Sequence, residues 1–252
     1  MMRLAAIWRH PIKSHGRERL DSVALQAGKT LPWDRRWAVA HDAARIDRDR
    51  PAWAECVNFS RGSKAPRLMA INASLDAASA MVTLTHPDHS PITFCPDDPA
   101  DHGRFLDWVR PLCPPERAQP AGIYSVPDRG MTDTDYPSIS ILNLGSNSDL
   151  STRMGIDLSP LRWRGNLWLE GGAPWAEAAW PGQRLRVGEV EVEVVEPIVR
   201  CTATTANPET GIIDADTLRA LRDAVGAQTF GVYARVLQGG TIRSGDSAEV
   251  LT

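Results

Sequence analysis

Three observations predict a mainly β protein. Many short runs of β-branched and aliphatic residues are bounded by turn residues, few stretches carry a helical period, and Val187-Gly-Glu-Val-Glu-Val-Glu-Val194 alternates valine with glutamate. Together they suggest a barrel or sandwich with a few short helices. In the alternating segment the valines are expected to face a core and the glutamates water.

In chain order, the expected first strands are Leu4–Arg9, Leu20–Leu25, Arg36–Ala40, Arg67–Ala73 and Met81–His86, with Gly28 and Asp88 in turns. Asp98-Pro99 starts a helix well, because proline suits the first helical position. Phe105, Leu106, Val109 and Leu112 supply its apolar face, and Pro111 limits its length. The prolines of Pro111-Leu-Cys-Pro-Pro-Glu-Arg-Ala-Gln-Pro120 disfavour regular structure and mark a boundary, giving expected domains over residues 1–118 and 119–252. Beyond it, strands are expected at Ile139–Leu144 and Leu161–Leu169. Ser146 with Asp149 resembles a capping box for a short helix stopped by Gly155. Asp214 or Asp216 caps a helix carrying Leu218, Leu221 and Val225, ended by Gly226. Phe230–Leu237 and Ala248–Leu251 read as closing strands.

The chain of 252 residues has a net charge of -3, which gives no concentrated basic character and argues against a nucleic-acid partner. Three lysines stand against twenty-five arginines, so bidentate donors for carboxylate or phosphate are plentiful. The early apolar run Leu4–Trp8 is too short for a membrane span or a signal peptide, and a cytoplasmic location is expected. Cys56, Cys95, Cys113 and Cys201 form no CxxC pair, and reduced thiols are expected. No GxxxxGK[ST] or GxGxxG occurs, so a nucleotide cofactor has no support.

Cys201 is the most informative residue. After Cys113 it is the single cysteine, and no histidine follows it. A structural zinc needs about four Cys or His ligands, which the second half does not offer. A Cys–His pair would have to recruit His10, His15, His41 or another early histidine. On its own the thiol reads as a small buried hydrophobe, the common fate of free cysteine. Arg200 beside it would favour thiolate, the form that attacks electrophiles and ligates soft metals. Three further groups are rich in donors. His10-Pro-Ile-Lys-Ser14 offers an ammonium and a hydroxyl to an anion. Asp34-Arg-Arg-Trp37 points one arginine into a polar pocket while Trp37 packs inward. Arg162-Trp-Arg-Gly-Asn166, if a strand, puts Arg162, Arg164 and Asn166 on one face, with Gly165 allowing close backbone approach to a ligand.

Taken in order, His10-Pro-Ile-Lys-Ser14, Asp34-Arg-Arg-Trp37, Arg164-Gly-Asn166, Arg200-Cys201 and Asn207-Pro-Glu-Thr-Gly211 resemble the MOSC superfamily across nearly the whole chain. The resemblance implies a β-barrel MOSC domain after a smaller β-rich MOSC N-terminal domain. It also implies a pyranopterin molybdenum cofactor bound between them. In relatives similar to the mitochondrial amidoxime-reducing component, the cysteine matching Cys201 ligates molybdenum. The cofactor's phosphate and pterin would lie among Lys13, Ser14, Arg35, Arg164, Asn166 and Arg200, and Asp135 matches an acidic position near the metal. The segment Ala44–Phe59 is longer than in those relatives and differs from them.

That resemblance implies an oxidoreductase reducing N-oxygenated or N-hydroxylated small molecules, with electrons from a separate iron–sulfur, haem or flavin protein. A second reading is a non-redox carrier of the cofactor or of sulfur, with Cys201 holding a persulfide. A third is a scaffold that has kept the barrel without the cofactor.

Overall fold

A computed structural model describes residues 1–251. Its strands are β1 (Met2–Arg9), β2 (Glu18–Leu20), β3 (Ser22–Leu25), β4 (Trp37–His41), β5 (Asn72–Asp76), β6 (Met81–His86), β7 (His89–Phe94), β8 (Pro120–Ser125), β9 (Ile139–Asn143), β10 (Leu167–Glu170), β11 (Arg184–Val187), β12 (Val190–Val199), β13 (Thr229–Gln238), β14 (Gly240–Arg243) and β15 (Ser247–Leu251). The three α-helices are short: α1 (Pro99–Val109), α2 (Leu144–Met154) and α3 (Thr217–Val225). The protein is mainly β, as the sequence predicts.

Seven strands close a barrel in the order β10-β9-β13-β12-β11-β15-β1, with β1 returning to pair with β10 and β2 added beside β1. All ladders are antiparallel except β9–β10. The first strand of the chain is therefore a stave of a barrel built otherwise from residues beyond 138. A ribbon of β3 and β14 adds Val23, Leu25 and Ile242 to the barrel core, so the N-terminal stretch is tied to that core twice. Inside, Val187, Val190, Val192 and Val194 are wholly buried while Glu193 is exposed, which is the expected alternation. Each such valine contributes about 1.5–3 kcal/mol of burial free energy. The segment is a hairpin rather than one strand, because Gly188 takes φ 54° between β11 and β12.

The second core gathers Ile12, Trp37, Leu68, Leu84, Phe94 and Phe105 between the meander β5–β6–β7, helix α1 and the ribbon β4–β8. Strand β4 does not alternate, because both of its faces are covered. Trp37 and Val39 enter this core, while Ala38 and Ala40 pack with Phe59, Tyr124 and Met131. Asp98 caps α1 by accepting the Ala100 N–H at 2.9 Å, and Pro99 occupies the first turn. Asp216 and Gly226 bound α3 as expected, with Gly226 left-handed at φ 73°.

Several local expectations fail for identifiable reasons. Arg67–Ala73 is not a strand, because Pro66 starts a 3-10 turn over Pro66–Ala70 and β5 begins only at Asn72. Leu161–Leu169 divides in the same way: Pro160–Trp163 is a 3-10 turn, Arg164 is left-handed at φ 49°, and only Leu167–Glu170 is strand. Helix α2 is capped by Asn143, whose Oδ1 accepts the Gly145 N–H at 2.9 Å. Ser146 is instead buried and donates to Glu177 at 2.8 Å. Strand β8 starts at Pro120 itself, since proline is tolerated as the first residue of a strand.

Candidate functional site

A cleft of about 260 Å³ lies where the barrel meets the N-terminal core. Its walls include Lys13, Ser14, Arg35, Arg164, Arg200 and Cys201, residues drawn from four separate stretches of sequence. Two arginines donate to backbone carbonyls across it. Arg35 Nη2 donates to the Arg164 carbonyl at 3.1 Å, and Arg164 Nη2 donates to the Gly16 carbonyl at 3.0 Å. Ser14, Arg35 and Arg164 are all left-handed, with φ of 63°, 52° and 49°. Non-glycine residues adopt this region at a cost of about 1–3 kcal/mol and cluster where function requires a particular backbone.

Further contacts fasten the two sides of the cleft. Buried Arg17 donates to the Met69 carbonyl at 2.7 Å and to the Pro208 carbonyl at 2.7 Å. It thus joins the N-terminal core to the Asn207–Gly211 turn. Gly211, at φ 71°, brings that turn so close that a Cβ would lie 2.5 Å from Arg67 Cα. Arg162 is buried and bonded to Asp214 at 2.6 Å, so it serves the barrel side of the wall rather than a ligand.

Cys201 follows β12 and opens a 3-10 turn over Thr202–Thr205. The thiol residue is exposed, against the buried role its residue type suggests. Its carbonyl accepts from the Thr204 hydroxyl at 3.1 Å, which fixes the turn beneath it. No histidine lines the cleft. Among the described residues no three His, Cys, Asp or Glu side chains converge as a metal-ligand group. A metal held here by Cys201 would take its remaining ligands from a chelator of its own.

The charges are strongly unbalanced. Lys13 Nζ is tied to Asp133 at 2.5 Å and to the Met131 carbonyl at 2.8 Å. Arg35 pairs with the buried Asp34, whose Oδ1 also accepts the His10 backbone N–H at 2.7 Å. Among the described residues Arg61, Arg164 and Arg200 have no carboxylate partner, and the buried Arg164 Nη1 has no partner of any kind. Burial, reinforced by Arg35 and Arg17, pulls Arg164 down to about 9. An anion placed against it would relieve both the desolvation and the cationic repulsion. Arg200 is different. Its Nε and Nη2 donate to the Phe230 carbonyl and its Nη1 to that of Trp163, while it lies over the stacked Trp163–Phe230 pair. It shapes the wall beside Cys201 and has few donors left for a ligand.

Two expected site residues are not on the cleft surface. Asn166 is 1 % exposed, and its side chain is spent on Ser140 and the Trp8 carbonyl, which locks β1 to the loop before β10. Asp135 is exposed and does not line the cleft; the acidic residue that does is Asp133, two positions earlier in an irregular, bent stretch. The Asp133 side chain is 51 % exposed at the cleft; partial desolvation there pushes its carboxyl up, but Lys13 and Arg35 outweigh it and bring it down to about 2. Gly165 likewise faces no ligand space: a Cβ there would lie 2.2 Å from the Leu142 side chain. Sequence reasoning missed Cys56, Arg61 and Tyr233. Cys56 lies in the divergent Ala44–Phe59 segment, and Arg61 Nη1 donates to its sulfur at 3.1 Å.

The histidines near the cleft set an acid limit on stability. Burial, with Arg164 adding to it, lowers His10 to about 3, and burial lowers His15 to about 4. Both are neutral in the folded protein near pH 6, while the unfolded chain binds protons from about pH 6.5 downward. The unfolded state therefore gains protons first, and stability falls as pH drops below about 6.5. Each histidine contributes a slope of about 1.4 kcal/mol per pH unit once its unfolded form is protonated. Urea unfolding midpoints should fall between about pH 7 and pH 5, and a flat profile would contradict the buried neutral pair.

A chain with this barrel and this interdomain cationic cleft belongs to the MOSC proteins. The MOSC domain family model matches residues 129–249, and the MOSC N-terminal beta barrel domain matches residues 1–107. Among curated proteins it is similar to mitochondrial amidoxime reducing component 2 of Homo sapiens, with 33% identity over 124 residues, 44% of this chain and 36% of that protein. It is also similar to the molybdenum cofactor sulfurase of Caenorhabditis briggsae, with 33% identity over 99 residues, 38% of this chain and 14% of that protein. The matches thus span less than half the length of these relatives. Among solved structures, the YUAD protein from Bacillus subtilis aligns over 99% of this chain and 96% of its own, with TM-score 0.47 and 13% identity.

Proposed function

We propose that this chain binds a pyranopterin molybdenum cofactor in the cleft and reduces N-oxygenated, in particular N-hydroxylated, small molecules. Electrons would come from a separate redox protein, since the described residues hold no cysteine cluster for an electron-transfer centre of their own. The observation that carries the reading is the pairing of one exposed thiol with an anion-deficient cleft. Cys201 is the exposed thiol of the cleft, and Arg164 presents a buried, unpartnered donor to the same space.

The residues present fit the group. Cys201 as thiolate would ligate the metal, while Arg164, Arg35 and Ser14 suit the phosphate and polar pterin edge. When bound, the cofactor supplies two-electron oxygen-atom transfer. Asp133 remains ionised at neutral pH, so it fixes Lys13 rather than delivering a proton. Lys13 Nζ in turn donates to the Met131 carbonyl and to Asp133. Asn166 keeps β1 and the Arg164 turn in register without touching the ligand. Trp163, Ile198 and Met69 contribute apolar surface to the wall.

Protein produced in a cofactor-competent host and supplied with a chemically reduced viologen dye tests the activity. Dye oxidation dependent on an N-hydroxylated amidine is the expected result. A molybdenum-loaded protein with no such turnover would overturn the oxidoreductase. An added sulfur on Cys201 by intact mass, with no turnover, would point to the sulfur carrier instead.

A further inference from the structure

We propose that a second cavity, separate from the Cys201 cleft, binds a small organic phosphate monoester. It has a volume of about 230 Å³ and is enclosed by the end of β4, the Phe59–Ala65 stretch and the proline-rich segment before β8. Its lining includes Arg61, Lys64 and Arg117 and contains no aspartate or glutamate. Among the described residues these three cations form no ion pair, although most arginines elsewhere find a carboxylate or a carbonyl. Three unpaired cations around one hollow repel each other, and an anion between them removes that cost.

Two polar groups without partners accompany them. Ser60 is 7 % exposed and lines the cavity, yet its Oγ has no hydrogen-bond partner. His41 Nε2 lies 2.7 Å from the Val57 carbonyl, which can only accept, so the proton is on Nε2. Nδ1 is then a bare acceptor, buried and likewise unpartnered. Buried polar atoms are rarely left so, and a ligand or ordered water seated in the cavity would satisfy them. The remaining wall is apolar, with Val57, Phe59, Ala65, Pro114 and Ala118.

This combination selects one ligand chemistry. Phosphate oxygens accept from guanidinium, ammonium and the Ser60 hydroxyl, and the P–OH of the singly ionised ester can donate to His41 Nδ1. An ester carbon body suits the apolar wall, which inorganic phosphate would leave uncovered. The volume restricts that body to about the size of one ring. Arg61 lines both cavities, so an occupant here shares one wall with the Cys201 cleft.

Titration calorimetry of the full chain with phenyl phosphate, and separately with inorganic phosphate, tests the site. Saturable binding is expected for phenyl phosphate, several-fold tighter than for inorganic phosphate. The double variant Lys64→Gln, Arg117→Gln removes two exposed charges without touching either core, and should weaken phenyl phosphate about tenfold. Absence of saturable binding would overturn the proposal. So would undiminished affinity in the double variant, which would place the ester in the cationic Cys201 cleft. Molybdenum content is unaffected by either result, so the outcome is independent of the function proposed above.

Discussion

Cys201→Ala is expected to leave a folded protein that holds no molybdenum and shows none of the proposed N-hydroxylated-substrate reductase activity. The thiol is exposed, and no buried packing depends on it, so stability should stay within about 0.5 kcal/mol of the parent. The chemical loss is large because Cys201 is the exposed thiol of the cleft, whereas the Cys56 sulfur already accepts from Arg61. Changes to groups that merely orient a ligand typically cost about 10–100-fold in affinity or activity, and loss of the ligand itself should exceed that. Metal analysis and dye-linked turnover measured on the same preparation check this. Retained molybdenum with retained turnover would remove Cys201 from the site.

Asp34→Ala is expected to be the most destabilising single change near the cleft. Asp34 is 1 % exposed, receives the His10 backbone N–H, and balances the Arg35 guanidinium. Burial alone would push its carboxyl up, yet Arg35 and His10 hold it far below the usual carboxylate range. Removing it leaves Arg35 buried beside Arg164 with its principal counter-charge gone. Breaking a buried pair in this way costs about 3–5 kcal/mol. Asp34→Asn, which keeps the shape and one acceptor oxygen, should lose less. Urea unfolding of the two variants measures the difference, and equal stability for Asp34→Ala and the parent would contradict the charge balance described here.

The parts of this protein that were legible in its sequence share one property: their signal is local. The valine alternation after Arg186, the Asp98-Pro99 helix start and the Asp216/Gly226 caps depend only on neighbours, and each is realised. Strand β4 gave no alternation because it is covered on both faces, by clusters far apart in sequence. The stretch around Arg164 misled because a proline-started 3-10 turn and a left-handed arginine replace the first half of an expected strand. From that left-handed position the Arg164 side chain reaches the Gly16 carbonyl. The use of β1 as a barrel stave was invisible, since the pairing partner lies about 160 residues away.

For the site, motif resemblance gathered Lys13, Ser14, Arg35, Arg164, Arg200 and Cys201, and the fold brings all of them to one cleft. Residue type could not say how their donors are spent. Arg200 gives its fork to carbonyls, Lys13 is tied to Asp133, and Asn166 serves the framework, whereas Arg164 keeps a free buried donor. Asp133, and not the expected Asp135, faces the cleft, a difference of two positions in an irregular segment where sequence offers no periodicity to fix the facing. Cys56 comes from a segment unlike the family pattern, so resemblance could not supply it, and Arg61 follows two residues after that segment and donates to the Cys56 sulfur.

The most direct measurement is the molybdenum and pterin content of the wild-type chain purified from cells that make the cofactor. Stoichiometric molybdenum, together with pterin fluorescence after oxidative release, is the predicted result. Protein free of both, from cells in which another molybdenum enzyme is fully loaded, would contradict the account.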